Sequence, residues 1–329
     1  MKVSVIILTW NGRAYLKEAL ESLAAQTYRD FETILVDNGS SDGSAEYVRS
    51  AFPWVRLLEL PENVGFAEGN NRGLALAQGA YIVTLNNDTK AAPEFLAELV
   101  RVAEGDASIG MVAAKMRNYY EPERIDAVGL MIGTNGLGYN IGIGETDSGQ
   151  FDDAVIFGPC GGAALYRLEM LDETGFFDTD YFAYYEDFDL AWRARLAGWK
   201  ALVAPRALVY HVHSATGGEM SRFKTYYTHR NKWYVIIKNW PLGILLKRLP
   251  VLFFYDMAAV VLAWLKGVGG AAVRARLDVV KNMGRLLIQR CEVQASSTLS
   301  TAEIEGLFSP YEGALKTFFR KMGRQNSDE

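Results

Sequence analysis

The chain has 329 residues, half of them apolar, and a formal net charge of −5. This length allows one large domain, or a domain with an appendage. With a net charge of −5, nothing in the composition argues for nucleic-acid binding, so we expect no nucleic-acid partner. Cys160 and Cys291 lie far apart and match no zinc spacing. We expect free thiols, as in a reducing cytosol.

Strand-like and helical patterns alternate over the first 115 residues. Strands are predicted near residues 3–9, 31–36, 54–59, 80–85 and 109–114, and helices near 13–25, 43–51, 66–77 and 93–103. This alternation predicts a mainly parallel, doubly wound α/β sheet flanked by helices. The first apolar run is too short for the core of a signal peptide, which favours a cytoplasmic location.

The middle of the chain is rich in glycine. Residues 129–149 predict hairpins and a mobile loop, the kind of segment that often carries binding residues. A strand is predicted over 157–166, where Gly161 and Gly162 let the backbone approach a ligand closely. A helix is predicted from Glu186 to Leu196, followed by strand-like runs that lead to His211 and His213.

The composition changes after about residue 220. Helices are predicted over 222–238 and 270–295, around the most apolar segment, 242–265. Charged residues and Pro250 divide that segment into parts too short to span a bilayer, so an in-plane, re-entrant or protein-covered arrangement is expected. A helical hairpin packed on the catalytic domain or across a dimer is the alternative to a peripheral membrane contact.

These patterns predict four regions of different composition. The boundaries are 1–220 for a catalytic domain with halves at about 1–115 and 116–220, 221–322 for a C-terminal helical region, and 323–329 for a disordered tail.

Two predicted strands end in polar side chains. One ends at Thr9, Trp10 and Asn11, and the other delivers Asp37 to a turn of Asn, Gly, Ser and Asp. In open α/β sheets the carboxyl edge is where ligands bind. We therefore predict a pocket for a nucleotide base or sugar, in which Asp37 accepts a hydrogen bond from an imide N–H of uracil or thymine, or from guanine. The alternative is that Asp37 only caps the next helix.

Asp88 follows a third strand, 80–85, within the run Asn86, Asn87 and Asp88. A strand-end carboxylate is well placed to hold a divalent cation beside a diphosphate, because Mg²⁺ and Mn²⁺ favour oxygen ligands. The alternative is that Asp88 only begins the helix near Pro93.

Glu186, Asp187 and Asp189 place three carboxylates within four residues at a predicted helix start. Acidic residues suit a helix N-terminus through its dipole, so capping is one interpretation. The other is a general base, whose pKa burial and neighbouring like charges raise towards a useful value.

The ordered set of motifs resembles inverting nucleotide-sugar glycosyltransferases of family 2, which have the GT-A fold. The motifs are Thr9–Asn11, Val36–Gly43, Asn63–Asn71, Leu85–Thr89 and Tyr185–Arg193. They cover roughly residues 1–240 in the family's order, and the Asn-x-Gly-Phe and Asn-x-Asp patterns resemble the rhamnosyltransferase-like branch. Asn86 stands where other members carry a first aspartate, a departure that weakens the inference of a metal.

The resemblance implies roles for individual residues. Asp187 is the implied base, Glu186 an acceptor contact, Asp88 a ligand of Mn²⁺ or Mg²⁺, and His211, favoured over His213, a further metal or diphosphate contact. The full set of predicted contacts is Thr9, Trp10, Asn11, Asp37, Asn38, Gly65, Asn70, Arg72, Asn86, Asn87 and Arg230 for the donor, and Glu186, Gly161, Gly162 and Tyr185 for the acceptor.

The implied reaction is metal-dependent, inverting transfer of a sugar, with rhamnose the best candidate, from a dTDP- or UDP-linked donor. The implied acceptor is a hydroxyl of a cell-envelope glycan or a lipid-linked precursor, which favours the cytoplasm or the inner face of the cell membrane. Two alternatives are a nucleotidyltransferase and an inactive sugar-nucleotide-binding scaffold. The first lacks its Gly-rich phosphate loop here, and the joint presence of Asp37, Asp88 and Asp187 argues against the second.

Overall fold

The computed structural model describes residues 1–212 and 221–309. These residues are arranged around a twisted central sheet. Its strands are β1 (Val3–Thr9), β2 (Phe31–Asp37), β3 (Arg56–Glu59), β4 (Tyr81–Asn86), β5 (Thr89–Ala91), β6 (Ile109–Asn118), β7 (Ile125–Ala127), β10 (Ala163–Arg167) and β11 (Lys200–His211). A smaller sheet contains β8 (Leu130–Gly133), β9 (Gly138–Asn140) and β12 (Phe308–Ser309).

The helices that cover the central sheet lie mostly in the first 200 residues. They are α1 (Arg13–Ala24), α2 (Ser44–Ala51), α3 (Phe66–Leu74), α4 (Phe95–Ala103), α5 (Leu168–Thr174) and α6 (Glu186–Leu196). The C-terminal helices are α7 (Arg222–Asn239), α8 (Leu242–Leu265), α9 (Gly269–Lys281), α10 (Met283–Ala295) and α11 (Thr301–Gly306).

The N-terminal part of the sheet is parallel. Its order is β3-β2-β1-β4, and the register pairs Thr9 with Asp37. Apolar residues of β1 such as Val5, Ile6 and Ile7 are buried because helices cover both faces. The predicted alternation of strands and helices is therefore confirmed, and it brings the polar ends of β1, β2 and β4 to one edge.

Beyond β4 the sheet departs from the simple parallel pattern. The strand predicted over 157–166 is shorter, and as β10 it runs antiparallel between β4 and β6. The three-residue strands β5 and β7 were not predicted, and both pair antiparallel, β5 with β11 and β7 with β6. Strands of three residues carry too little periodicity to be recognised from sequence.

The C-terminal helices differ from the expectation in two places. The single helix predicted over 270–295 is broken at Asn282 into α9 and α10. The segment 242–265, expected in parts, is one helix of 24 residues that continues through Pro250. Ile244 and Leu252 lie two turns apart on its buried side, so packing holds both halves in line. Within the described residues, α8 is the one helix long and apolar enough to cross a membrane by length and composition alone.

Candidate active site

Asp37 lies at the carboxyl end of β2, beside Thr9 of β1. Its side chain is buried, and it accepts a hydrogen bond from the Ser40 backbone N–H at 3.3 Å. Burial raises the pKa of this carboxyl above its usual value. The carboxylate that receives the Ser44 N–H at the start of α2 belongs to Asp42. Asp37 is therefore not the cap of that helix.

Side-chain amides tie the loops at this edge together. The Asn11 Oδ1 accepts from the Ser41 N–H at 2.8 Å, and the Asn87 Nδ2 donates to the Thr9 Oγ1 at 2.9 Å. These bonds join the loops that follow β1, β2 and β4, at the edge of the sheet where the donor is predicted to bind.

The side-chain amide of Asn38 forms hydrogen bonds with the loop before α3. Its Nδ2 donates to the Asn63 Oδ1 at 3.0 Å and to the Gly65 carbonyl at 3.2 Å. Gly65 has φ +91°, and a side chain there would collide with the Phe182 ring. The contacts of Asn38 and Gly65 in the structure are thus with the protein's own loops.

Three other predicted donor contacts occupy different surroundings. Trp10 is exposed at the end of β1. Asn70 is buried within α3 and donates to the Phe66 carbonyl at 2.8 Å. Arg72 lies on the exposed side of α3, in an ion pair with Glu68 at 2.6 Å. The contacts of Asn70 and Arg72 are thus with other residues of α3, and the donor roles stay predictions.

Asp88, His211 and Asp126 form a buried row at the ends of β4, β11 and β7. The His211 Nε2 lies 3.2 Å from the Asp88 Oδ1, and its Nδ1 lies 2.6 Å from the Asp126 Oδ2. The Asn86 Nδ2 is 3.5 Å from the same Nε2. Burial lowers the pKa of His211, but the hydrogen bonds to Asp126 and Asp88 outweigh it and raise the pKa to about 9.

The row fits a divalent cation. Two ligand atoms that are each about 2.1 Å from an octahedral metal lie about 3.0 Å apart at a right angle, close to the separation of the Asp88 Oδ1 and the His211 Nε2. Asp126 on the far nitrogen fixes the imidazole as outer partners of metal-bound histidines do. Among the described residues, no three His, Cys, Asp or Glu side chains surround one metal position. A bound cation would therefore need further oxygen ligands, such as those of a diphosphate, and would have to displace the proton from the His211 Nε2.

Sequence reasoning did not find Asp126. It lies in the three-residue strand β7, and it meets His211 across 85 positions of the chain. No local spacing signals such a contact. His213 falls outside the described residues, so the choice between the two histidines stays a prediction. Asp88 lies before β5 and well before α4, whose first residue is Phe95. It does not begin that helix.

Asp187 and Glu186 occupy the first turn of α6, as predicted. The Asp187 Oδ2 accepts from the Gly161 N–H at 3.1 Å, and its Oδ1 accepts from the Phe188 N–H at 2.8 Å. Burial raises the pKa of Asp187. For Glu186, burial and the charge of Asp187 raise the pKa well above its usual value, and its Oε2 has no hydrogen-bond partner.

Asp189 has a different environment from its two neighbours. It is fully buried, pairs with Arg193 at 2.9 Å and Lys238 at 3.0 Å, and accepts from the Tyr181 hydroxyl. These partners hold the pKa of this carboxyl below its usual value against the effect of burial. Asp189 therefore anchors α6 to α7, and its two cationic partners make it a poor candidate for a base.

Gly161 and Gly162 connect the carboxylates of α6 to the end of β4. The Gly162 carbonyl accepts from the Asn86 N–H at 2.8 Å, and a side chain at Gly162 would approach the Asn86 amide to 2.9 Å. Gly161 contacts Asp187 directly. The predicted base and the Asp88–His211 row thus lie on two sides of one glycine pair.

Tyr185 and Arg230 have contacts of their own. Tyr185 precedes α6 with φ +72°, and its ring packs 5.3 Å from that of Phe188. The Arg230 guanidinium donates to the Asp180 carbonyl at 2.6 Å and lies over the rings of Tyr227 and Tyr234. In the structure Arg230 binds the loop before α6, and its predicted contact with a diphosphate stays a prediction.

The comparison with protein families identifies this arrangement. The model of glycosyl transferase family 2 matches residues 4–175, just over half of the chain. The chain belongs to glycosyl transferase family 2. The predicted family is therefore confirmed.

Three relatives illustrate the range of similarity of this family 2 chain. It is 25% identical over 260 residues to an N-acetylglucosaminyl-diphospho-decaprenol L-rhamnosyltransferase of Mycobacterium tuberculosis, over 71% of the chain and 83% of that protein. It is 33% identical over 129 residues to the glycosyltransferase GlyG of Streptococcus pneumoniae, over 38% of the chain and 41% of GlyG. It is 29% identical over 233 residues to the uncharacterized protein y4gI of Sinorhizobium fredii, over 66% of the chain but a quarter of y4gI.

Solved structures confirm the fold class. The mannosyltransferase PcManGT of Pyrobaculum calidifontis, in complex with GDP-Man and Mn²⁺, has a TM-score of 0.54 at 19% identity, over 90% of this chain and 85% of that one. GalNAc-T7 with UDP, GalNAc and Mn²⁺ has a TM-score of 0.57 at 18% identity, over 72% and 48% of the two chains. The family 2 chain therefore has the GT-A fold, with C-terminal helices added.

Proposed function

We propose that this protein transfers a sugar from a nucleoside-diphosphate donor to a hydroxyl acceptor by single displacement, with inversion at the anomeric carbon. The observation that carries the proposal is the partly buried Asp187 carboxylate, which the Gly161–Gly162 pair separates from the Asp88–His211 row. One side supplies a proton acceptor, and the other side supplies ligands for the charge of a diphosphate.

Asp187 is the proposed general base. Its carboxylate takes the proton of the acceptor hydroxyl while that oxygen forms a bond to C1 of the sugar. The bond from C1 to the phosphate oxygen breaks at the same time, and the nucleoside diphosphate leaves with the electron pair. The raised pKa of Asp187 favours this role, because a base is most effective when its pKa approaches the working pH.

Glu186 is the proposed acceptor contact. Its Oε2 is buried and has no partner within the protein, which suits a group that completes its hydrogen bonds on a substrate. Burial and the charge of Asp187 raise the pKa of Glu186 well above its usual value, which favours the protonated form and a hydrogen bond in which Glu186 is the donor.

Asp88 and His211 are the proposed ligands of Mn²⁺ or Mg²⁺, and Asp126 orients the imidazole. A divalent cation there supplies positive charge that offsets the charge of the leaving diphosphate. The structures of PcManGT and GalNAc-T7 each contain Mn²⁺ beside a nucleotide or nucleotide sugar, which supports the proposal.

The proposed donor carries uracil or thymine, whose imide N–H the Asp37 carboxylate accepts at the end of β2. Rhamnose is the proposed sugar and a lipid-linked, cell-envelope glycan precursor the proposed acceptor, because the Mycobacterium tuberculosis relative is a rhamnosyltransferase acting on a diphospho-decaprenol substrate. A lipid-linked acceptor would place the reaction at the inner face of the cell membrane.

The C-terminal helices support a peripheral membrane contact. Fifteen of the 22 exposed large apolar residues of the described chain lie between residues 242 and 288. Phe253, Phe254, Trp264 and Leu265 of α8 are among the most exposed. An apolar groove of about 440 Å³ also lies between α8, α9 and α10. So many exposed apolar side chains on neighbouring helices are typical of an interaction surface.

The charges around this face favour an anionic bilayer over a second copy of the chain. Residues 242–295 contain eight Lys and Arg against three Asp and Glu, although the whole chain has a net charge of −5. A twofold dimer through this face would bring its own cations together, whereas anionic head groups would neutralise them. Flotation with anionic and with neutral liposomes tests the proposal. If the protein floats with neither kind of liposome and forms a dimer in solution, the face would be assigned to a second copy of the chain.

A donor screen tests the transferase itself. Nucleotide sugars with and without Mn²⁺ are compared by thermal stabilisation, and dTDP- and UDP-linked donors are expected to stabilise the protein only with the metal. The product of the best donor is then analysed by NMR. An inverted anomeric configuration is expected, and retention would exclude the single displacement.

A further inference from the structure

The loop that leads into the proposed base has an unusual backbone. Phe182, Tyr184 and Tyr185 have φ of +60°, +67° and +72°, although each has a side chain that disfavours this region. These are three of the four non-glycine residues with positive φ in the described chain. Asp187 lies two residues after Tyr185, so the position of its carboxylate depends on how this loop is held.

A single side chain of α7 binds this loop at three points. The Asn231 Nδ2 lies 2.9 Å from the Tyr181 carbonyl, 2.9 Å from that of Ala183 and 2.7 Å from that of Tyr184. Asn231 is fully buried, so no water replaces these bonds. The carbonyls of a left-handed loop point away from any regular ladder, and here one amide satisfies them.

The orientation of the Asn231 amide is itself fixed. Its Oδ1 accepts from the Arg230 Nε at 2.9 Å, so the Nδ2 must face the loop. The Arg230 guanidinium meanwhile binds the Asp180 carbonyl and lies over three tyrosine rings. The pair Arg230–Asn231 therefore holds residues 180–184 as a unit.

The opposite side of the loop contacts the donor half. The Phe182 carbonyl accepts from the first two N–H groups of α3, those of Phe66 and Ala67, at 2.5 and 3.2 Å. The loop is thus fixed between α3, on the donor side, and α7, in the C-terminal helices. The α7 side of the loop can therefore be altered by substitution without removing a hydrogen bond on the α3 side.

We propose that Asn231 is a positioning residue for catalysis, which holds the left-handed loop so that the Asp187 carboxylate faces the acceptor hydroxyl. This inference rests on the proposed role of Asp187 as the base. It assigns to a residue of the C-terminal helices a function in the chemistry at the sheet edge.

The test is Asn231→Leu, which keeps the number and branching of the side-chain heavy atoms and removes the two N–H donors that make the three contacts. Turnover is expected to fall at least tenfold, while donor affinity measured by calorimetry stays within about twofold, because the α3 side of the loop is unchanged. Trp233→Phe is the matched control on the same helix. It removes a hydrogen bond to Asp256 of α8, far along the chain from the loop, and should keep normal turnover.

A rescue variant separates positioning from general damage to the fold. Glycine adopts positive φ without strain, so Tyr184→Gly in the Asn231→Leu background should restore part of the lost turnover. A fold defect alone would not be rescued. Normal turnover in Asn231→Leu, or no rescue by the glycine, would overturn the inference.

The two proposals fail in different ways. If Asp187→Asn keeps its activity, the assignment of the base is wrong. If Asp187→Asn is inactive while Asn231→Leu is normal, the base stands and only the role of Asn231 is lost.

Discussion

The edge of the sheet and the outer face of α8 use the same kind of sequence, a run of apolar residues, in opposite ways. In β1 the run is buried by helices on both faces, with only Leu8 partly exposed, and the chain reaches the surface at Trp10, just after the strand. In α8 half the run faces outwards, where Phe254 is 68% exposed, while Leu252 two residues earlier is 2% exposed. The share of apolar residues in a segment therefore does not tell whether its side chains are buried or exposed. That depends on which elements cover each face.

The largest expected effect lies at the sheet edge. Asp187→Asn keeps the shape of the side chain but loses the proton acceptor, so turnover should fall by about 10²–10⁴-fold. The folding stability should change little, and donor affinity measured by calorimetry should stay close to that of the wild type. Asp172→Asn, a change to an exposed carboxylate of α5, is the control. Near-normal turnover in Asp187→Asn would move the role of base to another group.

Within α8, two substitutions should differ sharply in stability. Leu252→Ala opens a cavity next to Gly136 and should lower the free energy of unfolding by about 2–5 kcal/mol. Phe254→Ser removes an exposed ring and should change it by no more than about 0.5 kcal/mol. Urea denaturation measures both, and flotation with anionic liposomes should weaken only in the second. A large loss of stability in Phe254→Ser would mean that protein covers this face.

Asp126, which binds the far nitrogen of His211, should affect metal binding at the Asp88–His211 row. Asp126→Asn leaves the two proposed ligands in place but loses the carboxylate that orients the imidazole, so Mn²⁺ affinity in the presence of the nucleotide should fall about 10–100-fold. Nucleotide affinity without metal should not change. Asp106→Asn, at an exposed carboxylate paired with Lys200, provides the comparison. Unchanged Mn²⁺ affinity would remove Asp126 from the site.

The smallest expected effect is on the pH profile. Burial raises the pKa of Asp187, and the base works only when deprotonated, so kcat/KM should fall with decreasing pH at values above the ordinary carboxyl range of about 4. Glu186→Gln mimics a protonated acid and should keep both this acid limb and most of the activity. A loss as large as that of Asp187→Asn would instead mean that Glu186 works as an anion.

Sequence alone predicted the repeated parallel units and the residues at their ends. The bounds of β1 and α6, and the placement of Asp37, Asp88 and Asp187 at strand ends and a helix start, followed from local periodicity and turn chemistry. The contact of His211 with Asp126 could not be predicted, because Asp126 lies in the three-residue strand β7, which pairs antiparallel with β6. The contacts of Arg230 were also hidden, since a tyrosine-rich helix gives no sign of the loop it binds.

The pairing of β12 with β8 has a consequence for synthesis of the chain. Phe308 and Ser309 complete the small sheet beside Ile132 and Gly133, and the Phe308 ring packs 4.7 Å from that of Trp240. At the usual pace of a ribosome, roughly 5–20 residues per second, β8 waits about 10–35 s for this third strand. The small sheet is therefore completed only after α7 to α11 have been made, and until then the edge of β8 that β12 later covers is open to a chaperone or a neighbouring nascent chain.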